Sequence, residues 1–174
     1  MSVRRNIIAT AVLLIAVATS AFAASAVEKL LPTGSSVKSW SVMADSLQYG
    51  KGKSLVDIYN GGYELYTDRG VVDAARQMYK QGDKYIEVVI HTMKSEKAAA
   101  DFLNYWQKEN KIKSLSKSKS SSYFVITKPN TAVYFTTKNY FTIANAFHSG
   151  DQARKDVVAF MEAIDSRIAP PRKR

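Results

Sequence analysis

Between Val71 and Phe147 the chain alternates strand-like runs with tight-turn residues, and that punctuation restricts the fold more than any other feature. Val71–Tyr79 and Lys84–Met93 are joined through Lys80-Gln81-Gly82-Asp83, the length and composition of a hairpin. In the second run Ile86, Val88 and Ile90 point one way, and Tyr85, Glu87, His91 and Met93 the other. Three further short runs follow, Tyr123–Lys128, Ala132–Thr137 and Tyr140–Phe147, separated by Pro129-Asn130 and Lys138-Asn139. Connections this short join antiparallel neighbours, because a parallel pair needs a crossover of about a dozen residues or more. Val37–Met43 adds a possible first strand. The element order predicts an α+β fold: a mainly antiparallel sheet of about five or six strands with helices packed on it.

Three segments read as helices. Ser95 is placed to cap one that runs to about Asn110, with Ala99, Phe102, Leu103 and Trp106 on its inner face. Asp151–Ile168 repeats the pattern with Ala153, Val157, Phe160, Met161, Ile164 and Ile168. Leu55–Gly70 is ambiguous. Leu55, Ile58, Tyr59, Gly62 and Tyr66 fall on one helical face, with Ser54 as N-cap and Gly70 as stop, which predicts a helix. Asn60-Gly61 is also the preferred two-residue hairpin turn. Lys111–Ser122, with four lysines and six serines, reads as an exposed, mobile connection.

The amino terminus sets the compartment. Arg4 and Arg5 precede an apolar run, Ile7–Ala18, and Ala21-Phe22-Ala23 offers small residues at the positions a signal peptidase reads. Residues 1–23 are therefore expected to be a cleaved signal peptide, with Ala24-Ser25-Ala26 a second possible cleavage site and a periplasmic or secreted destination. Removing residues 1–23 from 174 leaves 151, enough for one domain with its own core, expected over residues 27–168. The absence of cysteine excludes disulfides, thiolate metal sites and a lipid-anchored N-terminal Cys. Net charge is +10, or +8 without the two leader arginines, and residues 169–174 are expected to form a basic disordered tail. Such a chain attracts anionic lipid or acidic glycan weakly and non-specifically. Tyr105 and Trp106 sit at core spacing rather than along the lysines, so nucleic acid is not an expected partner.

Leu55-Val56-Asp57-Ile58-Tyr59-Asn60-Gly61-Gly62-Tyr63-Glu64-Leu65-Tyr66 resembles a family of exported bacterial domains of unknown function. Its members carry an aromatic, Asn or Asp, Gly, Gly, a small residue, Glu, Leu and Tyr. The resemblance extends through Met93-Lys94-Ser95 and Ala98-Ala99-Ala100, with weaker support in Ala144-Asn145-Ala146-Phe147; Tyr63 stands where the family often has a small residue. It implies export and transfers no activity.

Gly61-Gly62 inside a helix would cost about 2 kcal/mol relative to two alanines. Either another backbone approaches there, or a ligand or partner lies on the bare backbone, gripped by Asn60, Glu64 and Tyr66 with Arg69 nearby. Other constellations are weaker. Gly52-Lys53-Ser54 resembles the end of a phosphate-binding loop, but Leu47 stands where the first glycine belongs. No G-x-S-x-G occurs, and two histidines without ligand spacing give no metal motif. Tyr123, Phe124, Tyr134, Phe135, Tyr140 and Phe141 supply aromatics to both sheet faces, one of which is either covered or left as an aromatic patch. The expected function is an exported, non-catalytic domain binding a small ligand or protein partner through Asn60, Gly61, Gly62, Glu64, Tyr66 and Arg69. The alternatives are an envelope hydrolase using Glu64 or the His91 and Glu87 face, and an electrostatic binder of the anionic envelope surface. No cofactor or metal is expected, and no membrane span in the mature chain.

Overall fold

The computed structural model describes residues 24–170, so the expected leader and the basic residues of the expected tail lie outside the described residues. An antiparallel sheet of eight strands carries four helices: β1 (Ser41–Val42), β2 (Gln48–Lys51), α1 (Val56–Tyr59), α2 (Glu64–Asp68), β3 (Val71–Gln81), β4 (Lys84–Met93), α3 (Glu96–Glu109), β5 (Ser116–Ser118), β6 (Ser121–Ile126), β7 (Thr131–Thr137), β8 (Tyr140–Ala146) and α4 (Asp151–Ile168). The fold is α+β. The order across the sheet is β1-β3-β4-β8-β7-β6-β5, with β2 also paired to β3. The β3–β4 hairpin therefore hands over through α3 to the far edge, and β5 to β8 meander back until β8 closes against β4.

The strand count exceeds the expected five or six because β2 and β5 carry no apolar alternation. Both lie where the sheet pairs on one side only, and their residues are mostly exposed. The supposed mobile connection at Lys111–Ser122 is tied down through β5 and the start of β6. Ser120 Oγ and Thr137 Oγ1 each donate to Asp165 Oδ1 of α4 at 2.8 Å, and Ser121 and Thr137 hydroxyls meet at 2.6 Å.

One face of the sheet is covered by α4 and the incoming segment. Ile86, Val88 and Ile90 meet α4, whose six expected face residues are all buried, and Val27, Leu31, Val37 and Trp40 complete this layer. Arg167 of α4 holds the incoming segment by donating to Lys29 O, Thr33 Oγ1 and Ser36 Oγ at 2.9–3.1 Å. The opposite face packs Val89, Met93 and Phe141 against Phe102 and Leu103 of α3 and against Leu55 and Ile58. Ser95 caps α3 as expected, accepting from Ala98 N at 3.1 Å.

The continuous helix expected over Leu55–Gly70 is instead α1 and α2 separated by a turn; the hairpin alternative is not formed either. Asn60 adopts the left-handed conformation at φ 49°, followed by Gly61 at 103° and Gly62 at 69°. A Cβ at either glycine would meet nothing within 4 Å. The pair therefore serves the reversal, not the close approach of another backbone. Gly61→Ala and Gly62→Ala are each expected to destabilise by about 1–2 kcal/mol through left-handed strain, measured as urea midpoints. A continuous helix would instead gain about 1 kcal/mol from each change, so stabilisation would reinstate it.

Candidate functional site

The register of β3, β4, β8, β7 and β6 arranges the second face in rows whose cover thins along the strands. Ala74, His91, Phe141 and Thr136 form a buried row under α3 and the α1–α2 segment. The next row is Arg76, Val89, Ile143, Tyr134 and Phe124, and the next Met78, Glu87, Asn145, Ala132 and Ile126. Beyond them Tyr85 and Phe147 are 38% and 53% exposed. A cavity of about 260 Å³ opens there, lined by Glu87, Ile126, Asn130, Tyr134, Ile143 and Asn145.

Glu87, in the cavity lining, forms an ion pair with Arg76. Arg76 Nη2 lies 2.5 Å from Glu87 Oε2, both side chains being partly buried, and Arg76 Nη1 donates to Gln48 Oε1 at 3.2 Å. Charges satisfied in this way leave a lining that is polar and locally neutral.

The aromatic ring in the lining is Tyr134, and further rings of the same cluster form a border behind it. Tyr59 and Tyr66 stack at 3.8 Å between centroids, and both lie parallel to His91. His91 Nδ1 lies 2.8 Å from Phe141 O and so carries the proton, while Nε2 accepts from the Tyr59 hydroxyl. Burial lowers the His91 pKa to about 4, partly opposed by the Phe141 carbonyl, which favours the charged form. The imidazole is thus neutral at pH 7. Burial raises both tyrosines, with Glu87 among the secondary causes, and Tyr66 is pushed up to about 12. On the other side Tyr134 stacks on Phe124 at 4.9 Å and meets Trp106 at 5.8 Å.

The expected site is divided. Of its six residues only Tyr66 joins this aromatic border. Asn60, Gly61, Gly62 and Glu64 are exposed around the α1–α2 turn, and the turn ends the shared helix face that was to bring Asn60 and Glu64 together. Arg69 turns toward α3, with its guanidinium 3.5 Å from the Tyr105 ring centroid. His91 and Glu87 share one face of β4 as expected, but each has its own partners: Glu87 is engaged by Arg76, and His91 is bonded to Tyr59 and Phe141. His148 is placed elsewhere, bonded to Asp156 at 2.9 Å. Asn145 was legible from its alternation with Phe141 and Ile143. Arg76 was missed, although a central arginine in an eleven-residue strand signals a partner across the ladder.

No family model matches the chain, and no curated protein matches it in sequence. Among solved structures it is similar to the extracellular domain of PknH from Mycobacterium tuberculosis, at 14% identity and a TM-score of 0.46, over 80% of this chain and 95% of that one.

Proposed function

We propose that this is an exported, non-catalytic domain that binds a neutral saccharide on the half-covered face of its sheet. The observation that carries the reading is the ion pair between Arg76 and Glu87, which engages the carboxylate of a cavity that also presents Tyr134, Asn130 and Asn145. A charged ligand would have to compete with that pair. A sugar ring offers an apolar C–H face to Tyr134 and hydroxyls to Asn145, Asn130 and the outer lone pairs of Glu87, so it fits without breaking the pair. The hydrolytic alternative through His91 and Glu87 loses support because both are engaged by other partners.

Trp106 adjoins Tyr134 and reports the site in a Trp40→Phe background. Titration with the tetramer of N-acetylglucosamine, and separately with maltotetraose, is expected to change its emission saturably with at least one of them. Tyr134→Ala should weaken that binding about tenfold. No saturable change with either sugar at millimolar concentration sinks the reading.

Export rests on the leader sequence, and the chain after it favours cleavage following Ala23 over Ala26. Ser25 and Glu28 form a reciprocal cap, the Ser25 N–H donating to Glu28 Oε2 and the Glu28 N–H to Ser25 Oγ at 3.3 Å. Val27 is fully buried. Cleavage after Ala26 would discard the cap and place a charged amine on a core residue. Intact mass of the exported protein is expected to begin at Ala24. A Val27 start would overturn the cleavage position, and a Met1 start the export itself.

A further inference from the structure

The other side of the α1–α2 segment carries a second cavity, and its chemistry differs. It measures about 390 Å³ between α2 and the first turns of α3, with Asp68, Arg69, Lys94, Lys97, Asp101 and Phe102 among its lining. Lys97 and Asp101 neutralise each other at 2.7 Å. Arg69 and Lys94 have no acidic partner within 4 Å among the described residues.

Both cations are held in place by contacts other than ion pairs. The Arg69 guanidinium carbon lies over the Tyr105 ring, 3.5 Å from its centroid, and its Nε is buried without a hydrogen-bond partner. Lys94 donates its backbone N–H to Gly70 O at 2.8 Å, and its stem crosses Gly70 so closely that a Cβ there would meet Lys94 Cδ at 2.9 Å. Gly70, at φ 92°, thus supplies both the chain reversal and the bare surface on which the lysine lies. An arginine fixed by stacking and a lysine fixed along its stem lose little side-chain freedom when an anion arrives, which is the costly part of holding one. Asp68 leaves the cavity with one net positive charge after the Lys97–Asp101 pair is set aside.

We propose that this cavity binds a compact oxyanion, a phosphate or carboxylate group of a small solute, between the planar fork of Arg69 and the ammonium of Lys94. The fork suits two oxygens of either group, and Lys94 adds a point charge. The site is separate from the sheet face, so it stands whether or not a saccharide binds there.

Calorimetric titration at constant ionic strength with inorganic phosphate, and separately with succinate, tests it. The wild type is expected to bind at least one of them, and the preferred anion identifies the group recognised. Arg69→Gln and Lys94→Met should each weaken binding about tenfold, the methionine keeping the stem on Gly70. Lys155→Gln, on exposed α4 surface, should change nothing. Arg69→Lys keeps the charge without the fork and should restore only part of the affinity. Circular dichroism checks each fold; if Arg69→Gln does not fold, Lys94→Met decides alone. The proposal is overturned if neither anion binds more than chloride does, if the cavity variants that fold bind as the wild type does, or if Lys155→Gln weakens binding equally.

Discussion

Phe102→Ala is expected to destabilise the protein by about 3–5 kcal/mol, the usual cost of removing a buried ring whose surroundings cannot collapse. Phe102 is 1% exposed and joins the two parts of the second layer. It meets Phe141 of the sheet at 4.6 Å between centroids, Tyr66 of α2 edge-on at 5.6 Å, and Tyr105 and Trp106 of its own helix at 6.1 Å. No single neighbour can fill the space, because each is held by other contacts: Tyr66 by Tyr59, Trp106 by Tyr134 and Phe141 by the ladder. Urea denaturation followed by fluorescence measures the loss. A change below about 1 kcal/mol would mean the layer repacks freely.

Phe160→Ala is the matched control. That ring is fully buried on the opposite layer, against Trp40 at 5.5 Å and Tyr79 at 4.8 Å. Its loss should cost as much, yet leave the saccharide and oxyanion affinities unaltered under native conditions. Phe102→Ala should weaken both, since Phe102 lines the oxyanion cavity and packs on Trp106, which in turn packs on Tyr134 of the sheet face. The chain has two tryptophans, Trp40 and Trp106, one beside each ring, so each layer has its own reporter.

The parts of this fold that were legible are those where periodicity and burial coincide. β4 begins and ends where its alternation does, and α4 buries each residue its spacing nominated. Edge pairing left no such trace: Gln48-Tyr49-Gly50-Lys51 and Ser116-Lys117-Ser118 show a polar run because only one side of each strand is paired and little is covered. Lysines there keep an open edge from recruiting another chain. At Leu55–Gly70 the period correctly placed Leu55, Ile58, Tyr59 and Tyr66 toward the protein, but Asn60 and two glycines accept the left-handed conformation, which broke the helix the period implied. The candidate sites were less legible for a related reason. That Arg76 reaches Glu87 depends on Met78 being the direct partner of Glu87, a register no local pattern numbers.

His91 is expected to make stability fall as the solution is acidified. Its pKa is lowered from 6.5 to about 4, by burial above all, so the unfolded chain takes up a proton that the folded one refuses. A depressed folded pKa gives stability that is complete above pH 6.5 and is lost as pH falls through about 4. At its full extent this amounts to about 3 kcal/mol. The geometry explains the refusal: Nδ1 already donates to Phe141 O and Nε2 is the acceptor for Tyr59, so a second proton would replace that acceptor with a donor facing the same hydroxyl. The parallel rings of Tyr59 and Tyr66 and the ring of Phe141 lie against the imidazole, and its full burial disfavours the charged form. Replacing both partners, His91→Phe with Tyr59→Phe, keeps rings of similar shape and avoids stranding the tyrosine hydroxyl. Urea midpoints between pH 7 and 4 should then lose roughly one proton of pH dependence relative to wild type. An identical slope in the two proteins would mean that His91 takes up its proton in the folded state as readily as in the unfolded chain, and that the Tyr59 contact does not hold it neutral.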